Sequence, residues 1–284
     1  MSVRQYGVLF VGILLLLCGS SRDGGSAEEI PAGGQILATY HIYLAGFNLG
    51  EFRLTATFQG PNYKMQGKGR FSILGGLLYR GSGTTKSTGK LTKAGPEPSI
   101  FKVSYRGGGK RHQRRMSFTD GAVSQVSITP RKKQNPRRVP VTKEQLENVL
   151  DPLSAFLYAH SDNPHGDLNV CHKTVPVFDG WLRFNIVLTP KRADSLLKKA
   201  PTSLSGPAAV CQVKFMPIGG YRPDNPGIKF LSQTDEIELW LVSLPQTTLY
   251  LPYRIVVPTP LGRGSLTLTQ IKINLDGPAS NFRP

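Results

Sequence analysis

From residue 38 onward, hydrophobic and polar side chains alternate with a period of two. Tyr40, Ile42 and Leu44 share one side of the stretch 38–44. After a glycine-bounded turn at 46–50, Phe52, Leu54, Ala56 and Phe58 alternate with Glu51, Arg53, Thr55 and Thr57. An extended chain sends successive side chains to opposite faces, so this pattern predicts half-buried antiparallel strands. Similar stretches are found at 63–71, 81–91, 100–105, 111–118, 122–128, 174–178, 181–188, 210–215, 236–242, 248–257 and 265–275. Asp120-Gly121 and Asp179-Gly180 supply hairpin turns between strands, and 31 glycines and 22 prolines punctuate the chain.

The period changes between residues 142 and 157. Thr142 and Gln145 have the spacing of a capping box, and Leu146, Val149 and Leu150 follow at helical intervals. Asp151 as N-cap and Pro152 at the first helical position begin a second segment, whose apolar face is Leu153, Phe156 and Leu157. Another short helix is expected at 193–199. The predicted class is all-β with one or two short helices: a single domain, 28–284, forming a strongly curved antiparallel sheet as an open β-barrel or β-spiral roll. Closure of such a sheet protects strand edges that would otherwise pair with other chains.

The N-terminus places this domain outside the cytoplasm. Arg4 precedes the apolar run 7–18, and Gly25-Ser26-Ala27 offers small residues for cleavage, the order of a secretory signal peptide ending near Ala27. The run is too short to span a bilayer, so no transmembrane segment is expected in the mature chain and the expected location is the periplasm. A lipid-modified Cys18 is the alternative, against which Leu17 is large where a small residue is needed. Cleavage leaves Cys171 and Cys211, which an oxidising compartment favours as a disulfide. A catalytic thiol or metal ligand is the rival reading.

Charge narrows the partners. The chain carries +17, and removing the leader, whose Arg4, Arg22 and Asp23 sum to +1, leaves +16. In this compartment such a field attracts anionic lipid, polymer or protein surfaces of the envelope, and it also keeps a protein soluble. Residues 102–143 hold twelve Lys or Arg and one acid, Asp120. Lys110, Arg111, Arg114 and Arg115 on a strand, with Arg131, Lys132, Lys133, Arg137 and Arg138 on a loop, form a candidate anion-contacting patch. Aromatic interleaving is poor there, so nucleic acid is not an expected partner. A solvated loop without a specific partner is the plainer reading.

Catalytic signatures are missing. There is no G-x-S-x-G or H-E-x-x-H, and the glycine-rich stretch 83–90 has the wrong spacing for a phosphate-binding loop. His160, His165 and His172, interspersed with Asp162, Asp167 and Cys171, have the chemistry of a metal site, set against a polar turn-rich loop. No catalytic residue and no cofactor is assigned. Phe71, Leu74, Leu77, Leu78 and Tyr79 surround Gly75-Gly76 and are candidates to line a lipid cavity, with core packing as the alternative.

A first strand leading to Gly46 and Gly50, the segment Asp151-Pro152-Leu153-Ser154-Ala155 and Val177-Phe178-Asp179-Gly180 occur in that order. Cys211 ahead of Pro217-Ile218-Gly219-Gly220-Tyr221, then Leu239-Trp240-Leu241 and Leu251-Pro252-Tyr253-Arg254, complete the series. In this the chain resembles a family of exported bacterial proteins, the domain of unknown function numbered 3108. It departs from the family pattern at Trp181, where a basic residue is expected. More loosely it looks like envelope-integrity proteins that fold as an open β-spiral. That resemblance implies a non-enzymatic protein supporting the envelope through a protein or polymer partner. A periplasmic lipid or lipoprotein carrier is the alternative, and a metal-dependent hydrolase built on the histidine segment is a third.

Overall fold

The computed structural model describes residues 31–73, 79–107, 110–131, 135–157, 167–196, 204–245 and 247–276, so the expected leader lies outside the described residues. Seven strands come first: β1 (Gly33–Leu44), β2 (Phe47–Gln59), β3 (Asn62–Ile73), β4 (Tyr79–Thr92), β5 (Gly95–Gly107), β6 (Lys110–Thr119) and β7 (Ala122–Thr129). Six more follow: β8 (Lys173–Phe178), β9 (Arg183–Leu196), β10 (Gly206–Gly219), β11 (Ile237–Ser243), β12 (Tyr250–Thr259) and β13 (Gly262–Leu275). Among the described residues one α-helix, α1 (Pro226–Gln233), lies between β10 and β11.

All thirteen strands join one curved antiparallel sheet in the order β7-β6-β5-β4-β3-β2-β1-β13-β12-β11-β10-β9-β8. The first and last strands of the chain pair in the middle, Ile36 opposite Ile273 and Tyr40 opposite Leu268. The free edges are therefore β7 and β8, and the long connection between them bridges the gap. Asn148 N–H donates to the Gly121 carbonyl beyond β6 (2.9 Å), Leu150 N–H to Pro176 on β8 (2.8 Å), and Phe178 N–H back to Leu150 (2.9 Å). Isolated bridges Ala122–Glu147 and Leu150–Val177 mark the same two contacts. A strap thus touches each edge of the open sheet at one place.

The strap is held by Asp151, which is fully buried. One carboxylate oxygen accepts from the N–H groups of Leu153 (2.9 Å) and Ser154 (3.0 Å), as a capping residue does. The other accepts from the Ser154 hydroxyl and from Ser87 on β4 (2.8 Å). Tyr63 on β3 adds its hydroxyl to Ser154 at 2.7 Å. Burial pushes the Asp151 carboxyl above its ordinary value, while the hydrogen bonds from Ser154, Ser87 and Leu153 oppose that rise. Gly89 leaves room for this contact, since a Cβ there would stand 2.7 Å from the Tyr63 hydroxyl.

The main core lies under the strap, where Val149, Leu153 and Leu157 meet Tyr40, Leu54, Phe58, Met65 and Phe101. A second core surrounds the disulfide, with Val170, Leu188, Phe215, Leu241 and Tyr250 around Cys171 and Cys211.

Several expectations need correction. The turn after β1 is Ala45-Gly46, both with positive φ, so β2 begins at Phe47 rather than after Gly50. The capping box of Thr142 and Gln145 forms, with N–H to side-chain contacts of 3.2 and 3.4 Å. It starts only a three-residue 3-10 turn (Glu144–Leu146), because the chain must extend at Glu147 to reach the sheet edge. Asp151 likewise leads into a single 3-10 turn, Ser154–Leu157. The helix expected at 193–199 is instead the end of β9 as far as Leu196, its residues in register with Gly206 to Ala209 on β10; 197–199 lie outside the described residues. The true helix starts with Asn225 as N-cap, its side chain accepting from Ile228 N–H at 3.0 Å, and Pro226 follows.

Candidate functional site

Glycines empty the core face of β3 and β4 at one end of the sheet. Gly67 stands opposite Leu54 and Thr85, Gly69 opposite Phe52 and Gly83, and Gly81 opposite Phe71, all at positions whose side chains would point inward. The ring of Phe52 lies over this floor: a Cβ at Gly67 would fall 2.5 Å from Phe52 Cζ and 2.6 Å from Thr85 Cγ2. The result is a trough of about 260 Å³ floored by these glycines and walled by Ile42, Phe52, Phe71, Val103 and Tyr105. Its size is just below the roughly 300 Å³ at which small-ligand pockets begin, room for one chain end of an amphiphile and not for a whole lipid. Exposed Arg70 and Arg106 stand beside it.

The opposite face of the same strands carries charge. Three successive cross-strand rows run over β2 to β6. One is Glu51, Arg70, Ser82, Arg106 and Arg111; the next is Arg53, Lys68, Thr84, Ser104 and Gln113; the third is Thr55, Gln66, Lys86, Lys102 and Arg115. A cleft of about 490 Å³ is lined here by Lys68, Arg70, Arg106 and Arg111 together with Ser82, Thr84 and Ser104. Glu51 is the one acid in the rows, 3.0 Å from both Arg53 and Arg70. The hydrogen bond from Arg70 and the charge of Arg53 hold its carboxyl below the usual carboxylate range.

The residues singled out from the sequence are divided by this geometry. Period-2 alternation sends Arg111 and Arg115 to the charged face and Arg114 to the other, where it pairs with Asp179 at 2.6 Å. Asp179 also accepts from Trp181 N–H (2.8 Å) and Leu182 N–H (2.7 Å), so this pair ties β6 to the turn after β8. Arg138 donates to the Gly220 carbonyl and lies over the Trp181 ring at 4.6 Å, a positive charge over the position where a basic residue was expected. Arg137 is exposed with Asp224 at 3.9 Å, Lys110 and Arg131 are exposed, and Lys132 and Lys133 lie outside the described residues. Arg53, Lys68, Arg70 and Lys86 were missed, and Lys102 and Arg106 were counted in the basic stretch without being placed in the patch; the alternation of Lys68 and Lys86 with Gly, Ser and Thr was readable.

Phe71 lines the trough; Leu74, Leu77 and Leu78 lie outside the described residues, and of Tyr79 only the backbone, the start of β4, is described. Cys171 and Cys211 form a disulfide with Cα atoms 5.3 Å apart. Asp167 is a cap, accepting from Asn169 N–H at 2.9 Å, and His172 is exposed. His160, Asp162 and His165 lie outside the described residues, and among the described residues no three His, Cys, Asp or Glu gather to hold a metal. No helix among them is long and apolar enough to cross a membrane.

A family model described as "Protein of unknown function (DUF3108)" matches residues 39–269. The chain belongs to the DUF3108 family. The match takes in the glycine floor, the charged rows and the Asp151 strap of this DUF3108 protein. No curated protein matches the sequence. Among solved structures the chain is similar to a beta-barrel-like protein of the domain of unknown function DUF1849 from Brucella abortus. That similarity is 8% identity over 86% of this chain and 99% of the other, with a TM-score of 0.47.

Proposed function

We propose that this DUF3108 protein is a non-enzymatic binding protein of the cell envelope that holds the chain end of an amphiphile in the glycine-floored trough. The observation that carries this reading is the trough itself: β3 and β4 give up side chains on their core face where the sheet elsewhere packs Tyr63, Met65 and Phe101. Glycine in a strand interior weakens the strand, and here it leaves space beneath aromatic walls. Arg70 and Arg106 supply positive charge where the polar end of a bound amphiphile would emerge. The disulfide and the signal-like N-terminus support a location outside the cytoplasm. A dansylated fatty acid tests the reading. Wild-type protein is expected to enhance its fluorescence saturably, and Gly69→Val to weaken binding by about tenfold or more. Gly69 suits this substitution because a Cβ there meets only Phe52 Cδ2 at 3.5 Å and Glu51 O at 3.9 Å. Equal binding by the two proteins would remove the trough as the site.

A further inference from the structure

Fifteen outward positions make up the three rows on β2 to β6; eight carry Lys or Arg, six carry hydroxyl or amide groups and one is acidic. None of the fifteen is apolar, so these rows are suited to meeting anions and not to inserting into a hydrophobic surface. The charges also sit where they repel. Lys86 is directly opposite Lys102, which is directly opposite Arg115, and Arg106 is directly opposite Arg111. Strands lie about 4.8 Å apart, and like charges in direct cross-strand register destabilise a sheet. A sheet selected only for solubility gains nothing from this register, since alternating the signs would serve equally well and stabilise it.

We propose that the outer face of β2 to β6 docks on an anionic phospholipid bilayer, its Lys and Arg taking the headgroup phosphates and its Ser and Thr hydroxyls donating between them. Guanidinium groups bind phosphate oxygens in pairs, and each basic group near a charged membrane adds to the attraction. Complementarity of charge selects the anionic surface. Its extent, five strands wide and three rows deep, suits a sheet of phosphates better than one chain in a groove. The absence of aromatic residues in the rows argues against bases or sugars stacked on the face. Arg70 and Arg106 border both this field and the trough, which lies on the opposite face of the same strands. The docking stands independently of what the trough holds.

The test is flotation with vesicles of phosphatidylcholine alone or mixed with phosphatidylglycerol, at low and high salt. Wild-type protein is expected to float with the mixed vesicles only, and to come off as screening shortens the reach of the charges. The triple variant K86E/K102E/R115E is expected to partition at least about tenfold less, whereas reversing two exposed lysines of the other half, K214E/K229E, leaves partition near wild type. Lys102→Glu alone carries a second signature. It places a carboxylate between Lys86 and Arg115, so its Tm should rise while its partition falls severalfold. Equal flotation with neutral vesicles, or no response to the triple variant, would overturn the proposal. Binding to soluble polyphosphate without flotation would overturn it in favour of a polymer. Gly69→Val is expected to float like wild type, and the triple variant to bind the dansylated fatty acid like wild type, which separates a failure here from a failure of the trough.

Discussion

The two halves of the sheet are built to different rules. On β2 to β6 one face is core and the other is bare and cationic, and the strands read as alternating patterns. On β10 both faces are covered over part of the strand. Ala208, Ala209, Val210 and Cys211 are all fully buried in succession on β10, with helix α1 and the 3-10 turn Leu168–Cys171 packed against this strand. Strands covered on two sides read as continuous apolar runs, whereas strands covered on one side alternate. The covered half can hold itself together with its second core and disulfide. The bare half has one layer, gives up side chains at its glycines and depends on the strap pinned by Asp151. The two proposed binding surfaces, the trough and the charged rows, lie back to back on the half with the least packing.

The largest expected effect comes from the strap. Asp151→Ala removes the acceptor for four donors and leaves Ser87, Ser154 and two N–H groups buried without it. A loss of roughly 3–5 kcal/mol in urea unfolding is expected, together with loss of fatty-acid binding. If binding survives that loss, the bare half does not depend on the strap. Next is the disulfide. Replacing Cys171 and Cys211 by Ala frees a loop whose ends are 40 residues apart and should cost about 3 kcal/mol. Binding in the trough should be retained under conditions where the protein remains folded, because the disulfide lies in the second core, away from the trough lining.

The smallest effect is a pH dependence within that half. Glu238 loses by burial but gains more from hydrogen bonds with Arg192, Lys191 and the Trp240 indole, which hold its carboxyl at about 2. The folded value lies below the ordinary 4.5, so the group stabilises the fold above that ordinary value and the contribution fades as pH falls toward 2. Wild type should therefore melt above Glu238→Gln at neutral pH and converge with it near pH 2. Asp151 has the opposite sign: its carboxyl is raised by burial, so its contribution is complete below the ordinary 3.8 and declines as pH rises through the raised value.

Strand identity was legible because burial on one face imposes a period of two, and the positions of Phe52 to Phe58 follow it closely. The disulfide was legible from the two cysteines left after the expected leader. What escaped were pairings at long range. Nothing local in β1 says that it meets β13, and nothing in Asp151 beyond its capping role says that Ser87 and Tyr63 converge on it. The basic cluster was grouped by nearness in sequence, yet alternation separates Arg114 from Arg115, and register across strands brings Lys86 to Lys102 and Arg115. The glycines at 67, 69, 81 and 83 alternate with polar or charged residues, a readable sign of an emptied face. The helix at Pro226 was signalled by Asn225 as cap and passed over because its single apolar stripe is short.

The trough is tested most directly by native mass spectrometry of the protein recovered gently from its cells, wild type beside Gly69→Val. Wild type is expected to carry one amphiphile-sized addition and the variant to show a bare mass. A bare wild type, or the same addition on both proteins, would contradict it.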